Sequence, residues 1–185
     1  SMTLEEMKQK VYSMIEEYNE EEEDLTEDED LATKMNSVIN QIQNELCRFK
    51  KIPANTSLEV EEGQEMTLSE IDKNIYQLHN IRGVDFDTMN DVLIFNEKGT
   101  AKIYYFKYPT QITADTPDDY KFELSTDVLE IMPYGVAGDL LKSDVSSQYG
   151  AIYTARYQEL KNELDPRYNM GSVSLSEGFN VWVQQ

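Results

Sequence analysis

One cysteine, Cys47, and one histidine, His79, are all that this 185-residue chain holds of the two side chains most used for metal sites and for nucleophile–base pairs. A lone thiol closes no internal disulfide and makes no Cys-rich metal site. Cys47 therefore reads as a buried, inert thiol, and His79, without a positioned partner set, as a structural or surface residue. Bases are scarce as well: sixteen Lys and Arg stand against thirty-six Asp and Glu, a net charge of −20. That balance disfavours phosphate backbones and anionic membrane surfaces, where affinity comes from cations that displace counterions. No apolar run approaches the roughly 18 residues that cross a bilayer, no basic-then-apolar leader opens the chain, and no phosphate-cradling glycine motif, Walker sequence or dinucleotide fingerprint occurs. These gaps predict a soluble, intracellular protein that is not an enzyme and holds no cofactor or metal.

The acids are unevenly spread. Residues 1–30 hold thirteen acids and two bases, and eleven of the fifteen residues 16–30 are acidic. Such a block repels itself and has little to bury, so residues 19–24 read as a linker. Before it, Leu4, Met7, Val11, Met14, Ile15 and Tyr18 recur three and four apart behind a Thr3–Glu6 capping box, which predicts an amphipathic helix. After it, Leu31, Met35, Val38, Ile39, Ile42, Leu46 and Phe49 mark a longer helix, with Thr26 and Glu29 as a second capping box and Pro53 as its stop.

From about residue 57 to 109 the period shortens towards two. Val92-Leu93-Ile94-Phe95 and Ile103-Tyr104-Tyr105-Phe106 flank Asn96-Glu97-Lys98-Gly99, the pattern of a hairpin in an antiparallel region. Upstream, Asp85-Phe86-Asp87-Thr88-Met89-Asn90-Asp91 spaces oxygen ligands like the start of a calcium loop, but lacks the glycine and the closing glutamate; it reads as a polar turn before a strand. Helical spacing returns at Val128, Leu129, Met132, Val136, Leu140 and Leu141. Pro133, with Gly135 and Gly138 behind it, predicts a kink or break there. A last helix uses Tyr149, Ile152, Tyr153, Tyr157, Leu160 and Leu164 and ends at Asp165-Pro166.

The excess that remains is aromatic. Twelve tyrosines occur, and many crowd residues 104–157, where a ring can bury area while its hydroxyl stays wet, as at interfaces. Tyr104, Tyr105 and Tyr108 of the aromatic run, Pro133 and Tyr134 at the expected bend, and Phe179, Val181, Trp182 and Val183 near the C-terminus are the candidate interface residues. Ordinary half-buried core is the competing account of the rings.

The helix with Met35-Asn36-Ser37-Val38-Ile39-Asn40 and Lys51-Ile52-Pro53, the strand Ile103-Tyr104-Tyr105-Phe106-Lys107-Tyr108-Pro109, the Pro133-Tyr134-Gly135-Val136-Ala137 core and the final tyrosine-bearing helix occur in one order over residues 28–165. In that order and character the chain resembles the head-to-tail adaptor (connector, head completion) proteins of tailed bacteriophages and prophages. The resemblance implies an α+β fold: a small bundle of about four helices, one Pro-kinked, with an inserted antiparallel β region and extended termini. It also implies a virion structural protein assembled in the bacterial host cytoplasm, copies of which form a ring, commonly twelve-fold, beneath the portal. Its partners would be the portal protein and tail or stopper proteins, with DNA passing nearby unbound and no membrane involved. In domain terms, residues 1–24 would be a helix and acidic linker, 25–165 the adaptor-like bundle with its β insertion at about 57–109, and 166–185 a docking arm. From the charge alone, the rival reading is an acidic DNA mimic that occupies a basic host protein.

Overall fold

Leu4, Met7, Val11 and Ile15 are each 2% exposed or less, so the first periodic stripe of the sequence is pressed into a core from Leu4 to Ile15. The computed structural model of the chain describes residues 1–18, 29–142 and 148–167. In order, its elements are α1 (Leu4–Tyr18), α2 (Glu29–Phe49), β1 (Ile52–Val60), β2 (Glu65–Thr67), α3 (Leu68–Ile71), β3 (Ile75–Arg82), β4 (Phe86–Met89), β5 (Val92–Phe95), β6 (Gly99–Lys107), α4 (Thr126–Leu141) and α5 (Tyr149–Glu163). Among the described residues the fold is mixed α+β, with five helices and two small antiparallel sheets.

Thr3 starts α1: its Oγ1 accepts the Glu6 N–H at 3.2 Å and donates to the Glu6 carboxylate at 3.2 Å. The next free donors of a helix start, the N–H groups of Leu4 and Glu5, reach the carbonyls of Tyr120 and Asp118 at 2.8 and 3.0 Å. Helix α1 shares one apolar cluster with α2 and α4. The linker expected at 19–24, and Thr26 of the second capping box, lie outside the described residues.

Helix α4 is the hub of the helical part, with α1, α2 and α5 all packed on it. Eleven of its sixteen residues are buried, as expected of a helix enclosed on several sides. Of the kink or break expected at Pro133, a break is not there, because the helix runs on from Thr126 to Leu141. Proline forfeits one backbone hydrogen bond, and burial on several sides holds the helix together regardless. Gly135 and Gly138 are contacts instead of punctuation. A Cβ at 135 would sit 2.9 Å from the Tyr157 ring, and one at 138 would sit 2.6 Å from Thr154 Oγ1, so the bare backbone is what lets α5 lie close.

The strands follow a different plan from the hairpin expected between residues 92–95 and 103–106. β6 is the centre of one sheet, ordered β1-β6-β3, and β5 the centre of the other, ordered β2-β5-β4. The partner of β5 is set by the two-residue turn at Asn90-Asp91, where Asn90 has φ 55° and Met89 faces Val92. A positive φ at the first turn residue suits the right-handed twist of a tight hairpin, and Asn tolerates it. Residues 86–89, expected as part of a polar turn, are therefore strand. The expected turn at Asn96 is tied sideways: Asn96 Nδ2 donates to Asp85 and Asp87 at 3.2 and 3.0 Å, and Glu97 accepts the Asp85 N–H at 2.8 Å.

Period-two alternation on β6 sends Ala101, Ile103 and Tyr105 into a second apolar cluster, with Val60, Ile81, Leu93 and Phe95 from both sheets. The base of the first sheet enters the helical core through Ile52, with Tyr108 packed against it. Two ion pairs brace that junction. Lys50, 8% exposed, reaches Asp127 at 2.5 Å, and Lys107 pairs with Glu123.

Candidate interaction surfaces

The aromatic strand does not offer its rings at the surface of the chain. Tyr104 and Tyr105 point to opposite faces of β6 and are 3% and 6% exposed. The Tyr105 hydroxyl donates to Asp72 at 2.9 Å, and burial, then that hydrogen bond and the Asp72 charge, push its phenol up to about 12. On the other face Lys102 stands 5.4 Å from the Tyr104 ring centre, and Lys51 stands 5.0 Å from that of Phe106. Tyr108 is half-buried, its ring 4.9 Å from that of Tyr76. In a chain of net charge −20 this face gathers cations over rings. His79 meets Phe106 edge-on at 5.6 Å. Burial, then the Lys51 charge, hold its imidazole below the usual value and so neutral at pH 7. Cys47 is buried, its Sγ donating to the Asn44 carbonyl at 3.1 Å, and burial pushes the thiol up. Both residues thus sit in structural settings.

Pro133 is buried within α4, while Tyr134 is half-buried and lines a cleft between α4 and α5 of about 400 Å³. Asp127, Glu130, Ile131 and Tyr134 repeat at i, i+3, i+4 and i+7 and so form one face of α4. Arg156, Leu160 and Glu163 form the facing row of α5, continued by Leu164 and Asp165. Ile131, Leu160 and Leu164 make an apolar floor, and carboxylates dominate the rim. Sequence periodicity places Leu160 and Leu164 on the core stripe of the last helix, yet they are only half-buried, while Tyr149 and Ile152 of the same expected stripe are 40% and 54% exposed. The buried stripe of α5 is Gly150, Tyr153, Tyr157 and Lys161. Lys161 reaches Glu45 at 2.5 Å beneath the Phe49 ring. A lysine in the buried row was not predicted; its stem covers ring surface while its charge meets a carboxylate.

The cleft rim was legible as spacing but not as a surface, since the sequence does not say which side of α4 its neighbours leave open. Phe179, Val181, Trp182 and Val183 lie outside the described residues. Among the described residues no group of three or more His, Cys, Asp or Glu could hold a metal ion, and no helix is long and apolar enough to cross a membrane. No protein-family model matches the chain, and a search of curated proteins finds no match.

Proposed function

We propose that this chain is a non-enzymatic structural protein of a tailed phage or prophage that joins the capsid portal to the tail by ring assembly around the DNA channel. The observation that carries this reading is the position of the strands. All six lie between α2 and α4 in the sequence, and the helices before and after them pack on one another. That is the layout of a bundle with a β insertion which the resemblance to head-to-tail adaptors implies. In this reading α1, α2, α4 and α5 are the bundle, Pro133 gives α4 its bend, and α3 belongs to the strand region. The net charge of −20 fits a channel wall that does not grip a genome of like sign. The apolar residues Phe179, Val181, Trp182 and Val183 would reach a neighbouring copy or the portal.

The test is electron microscopy of the full chain and of a chain ended after Pro166, each alone and co-expressed with the portal protein of the same genome. Rings on the portal are expected for the full chain and sparse or no rings for the shortened one. A full chain that forms no ring in either setting rejects the reading; rings that persist without residues 167–185 reject the docking arm alone.

A further inference from the structure

The cleft between α4 and α5 joins an apolar floor to a charged rim. Its floor of Ile131, Leu160 and Leu164 is apolar and part-covered, and the half-buried Tyr134 belongs to its lining. Its rim holds four carboxylates, and three of its charged groups are already answered: Asp127 by Lys50 at 2.5 Å, Asp165 by Arg167 at 2.9 Å, and Arg156 by Glu159 at 3.2 Å. Among the described residues Glu130, on α4, and Glu163, on α5, are in no ion pair, and both are exposed. Two unanswered acids, one on each wall, thus border a cleft with an apolar floor.

We propose that this cleft receives a cationic amphipathic segment of a partner protein. Apolar side chains of the segment seat on Ile131, Leu160 and Leu164, and its lysines or arginines reach Glu130 and Glu163. A helix pair that leaves a trough is completed by a third apolar face spaced three and four apart. The charges choose among occupants. Nucleic acid and acidic peptides are repelled by the rim. The apolar residues 168–185 of this chain contain no Lys or Arg. That segment could cover the floor, but it would strip water from Glu130 and Glu163 without giving either a counter-charge. A segment with bases flanking an apolar row answers both requirements. The proposal concerns one surface and stands whether or not the chain assembles into a ring.

Two probe peptides of about eighteen residues test it on the full chain, one a Leu/Lys amphipathic helix and the other the same pattern with Glu for Lys. Anisotropy titrations are paired with amide shift mapping by NMR. The Lys peptide is expected to bind, with affinity falling as salt rises and shifts concentrated on the facing rows of α4 and α5. The pair Glu130→Gln and Glu163→Gln is expected to weaken binding roughly five- to tenfold, in line with two partly exposed charge pairs. The pair Glu62→Gln and Glu65→Gln, at exposed acids in the strand region, makes the same change in net charge and is expected to leave affinity within about twofold. Equal weakening by both pairs would mean that the peptide senses only net charge and would overturn the proposal. Shifts centred away from α4 and α5, binding of the Glu peptide, or a self-associated species lost with Glu130→Gln would overturn it too, the last by seating a second copy in the cleft.

Discussion

Asn40 gives Ile112 what a neighbouring strand would: its Nδ2 donates to the Ile112 carbonyl at 2.9 Å and its Oδ1 accepts the Ile112 N–H at 2.7 Å. One turn on, Gln43 is fully buried and donates to Asn40 Oδ1 and to the Thr110 carbonyl, each at 3.0 Å, while Asn44 and Gln111 exchange amide hydrogen bonds at the exposed edge. Three amides on the flank of α2 thus hold residues 110–112, a segment whose backbone has no sheet to pair with. Asn40→Ala is expected to cost about 2 kcal/mol, because it orphans both polar groups of Ile112 and one donor of Gln43. Asn44→Ala, at the wet end, should cost less than about 0.5 kcal/mol. Urea midpoints for the two variants check this, and equal losses would refute the clamp. None of it was legible in the sequence, since a polar residue beside an apolar stripe reads as solvated and its partners lie 67 to 72 positions away.

Among the elements, α4 and α5 meet where side chains are missing. Gly138→Ala gains up to about 1 kcal/mol of helix propensity, but its Cβ would lie 2.6 Å from Thr154 Oγ1 and 3.0 Å from the Thr154 nitrogen. Backbone cannot move aside as a side-chain tip can, and overpacking of this kind costs about 1–3 kcal/mol. The expected result is a net loss of about 1–2 kcal/mol in thermal unfolding, partly recovered by Thr154→Ala in the same chain; a Gly138→Ala protein more stable than the parent would contradict the close approach. At this scale the sequence was informative about which segments are helix and which are strand. It was less so about pairing. Asn96-Glu97-Lys98-Gly99 and Asn90-Asp91 both look like turns, and only the second closes a hairpin, because the Asn96 and Glu97 side chains bind residues 85 and 87 and turn the chain from one sheet into the next. At Pro133 the sequence could not say that the helix would run on unbroken. A local rule for breaking helices was overruled by packing on several sides, which periodicity alone cannot count.

At the scale of the whole molecule, the ion pairs Lys50–Asp127 and Lys107–Glu123 join the base of the β1-β6-β3 sheet to the chain entering α4. Burial pushes both carboxyls up, but for Asp127 the hydrogen bonds from Lys50 and Ser125, and for Glu123 those from Lys107 and Thr110, prevail and hold each below its usual value. A carboxyl depressed in the folded state contributes stability above its unfolded pKa, near 4, and loses it as pH falls through the folded value. Against that, partial protonation of thirty-six acids relieves repulsion in a chain of charge −20. Stability is therefore expected to rise from pH 7 to about 5 and to fall below about 4. Urea midpoints across that range check it. Glu123→Gln should flatten the acid limb, and an unchanged limb would remove the junction from the explanation. The central place of α4 has a consequence in time as well as in space. The stripes of α1 and α2 find their common partner only at residues 126–141, so a ribosome adding about 5–20 residues each second leaves Met7, Val11, Met35 and Ile39 uncovered for some seconds to tens of seconds. During that interval the strands between α2 and α4 can already pair, so the half of the molecule that begins first is completed last.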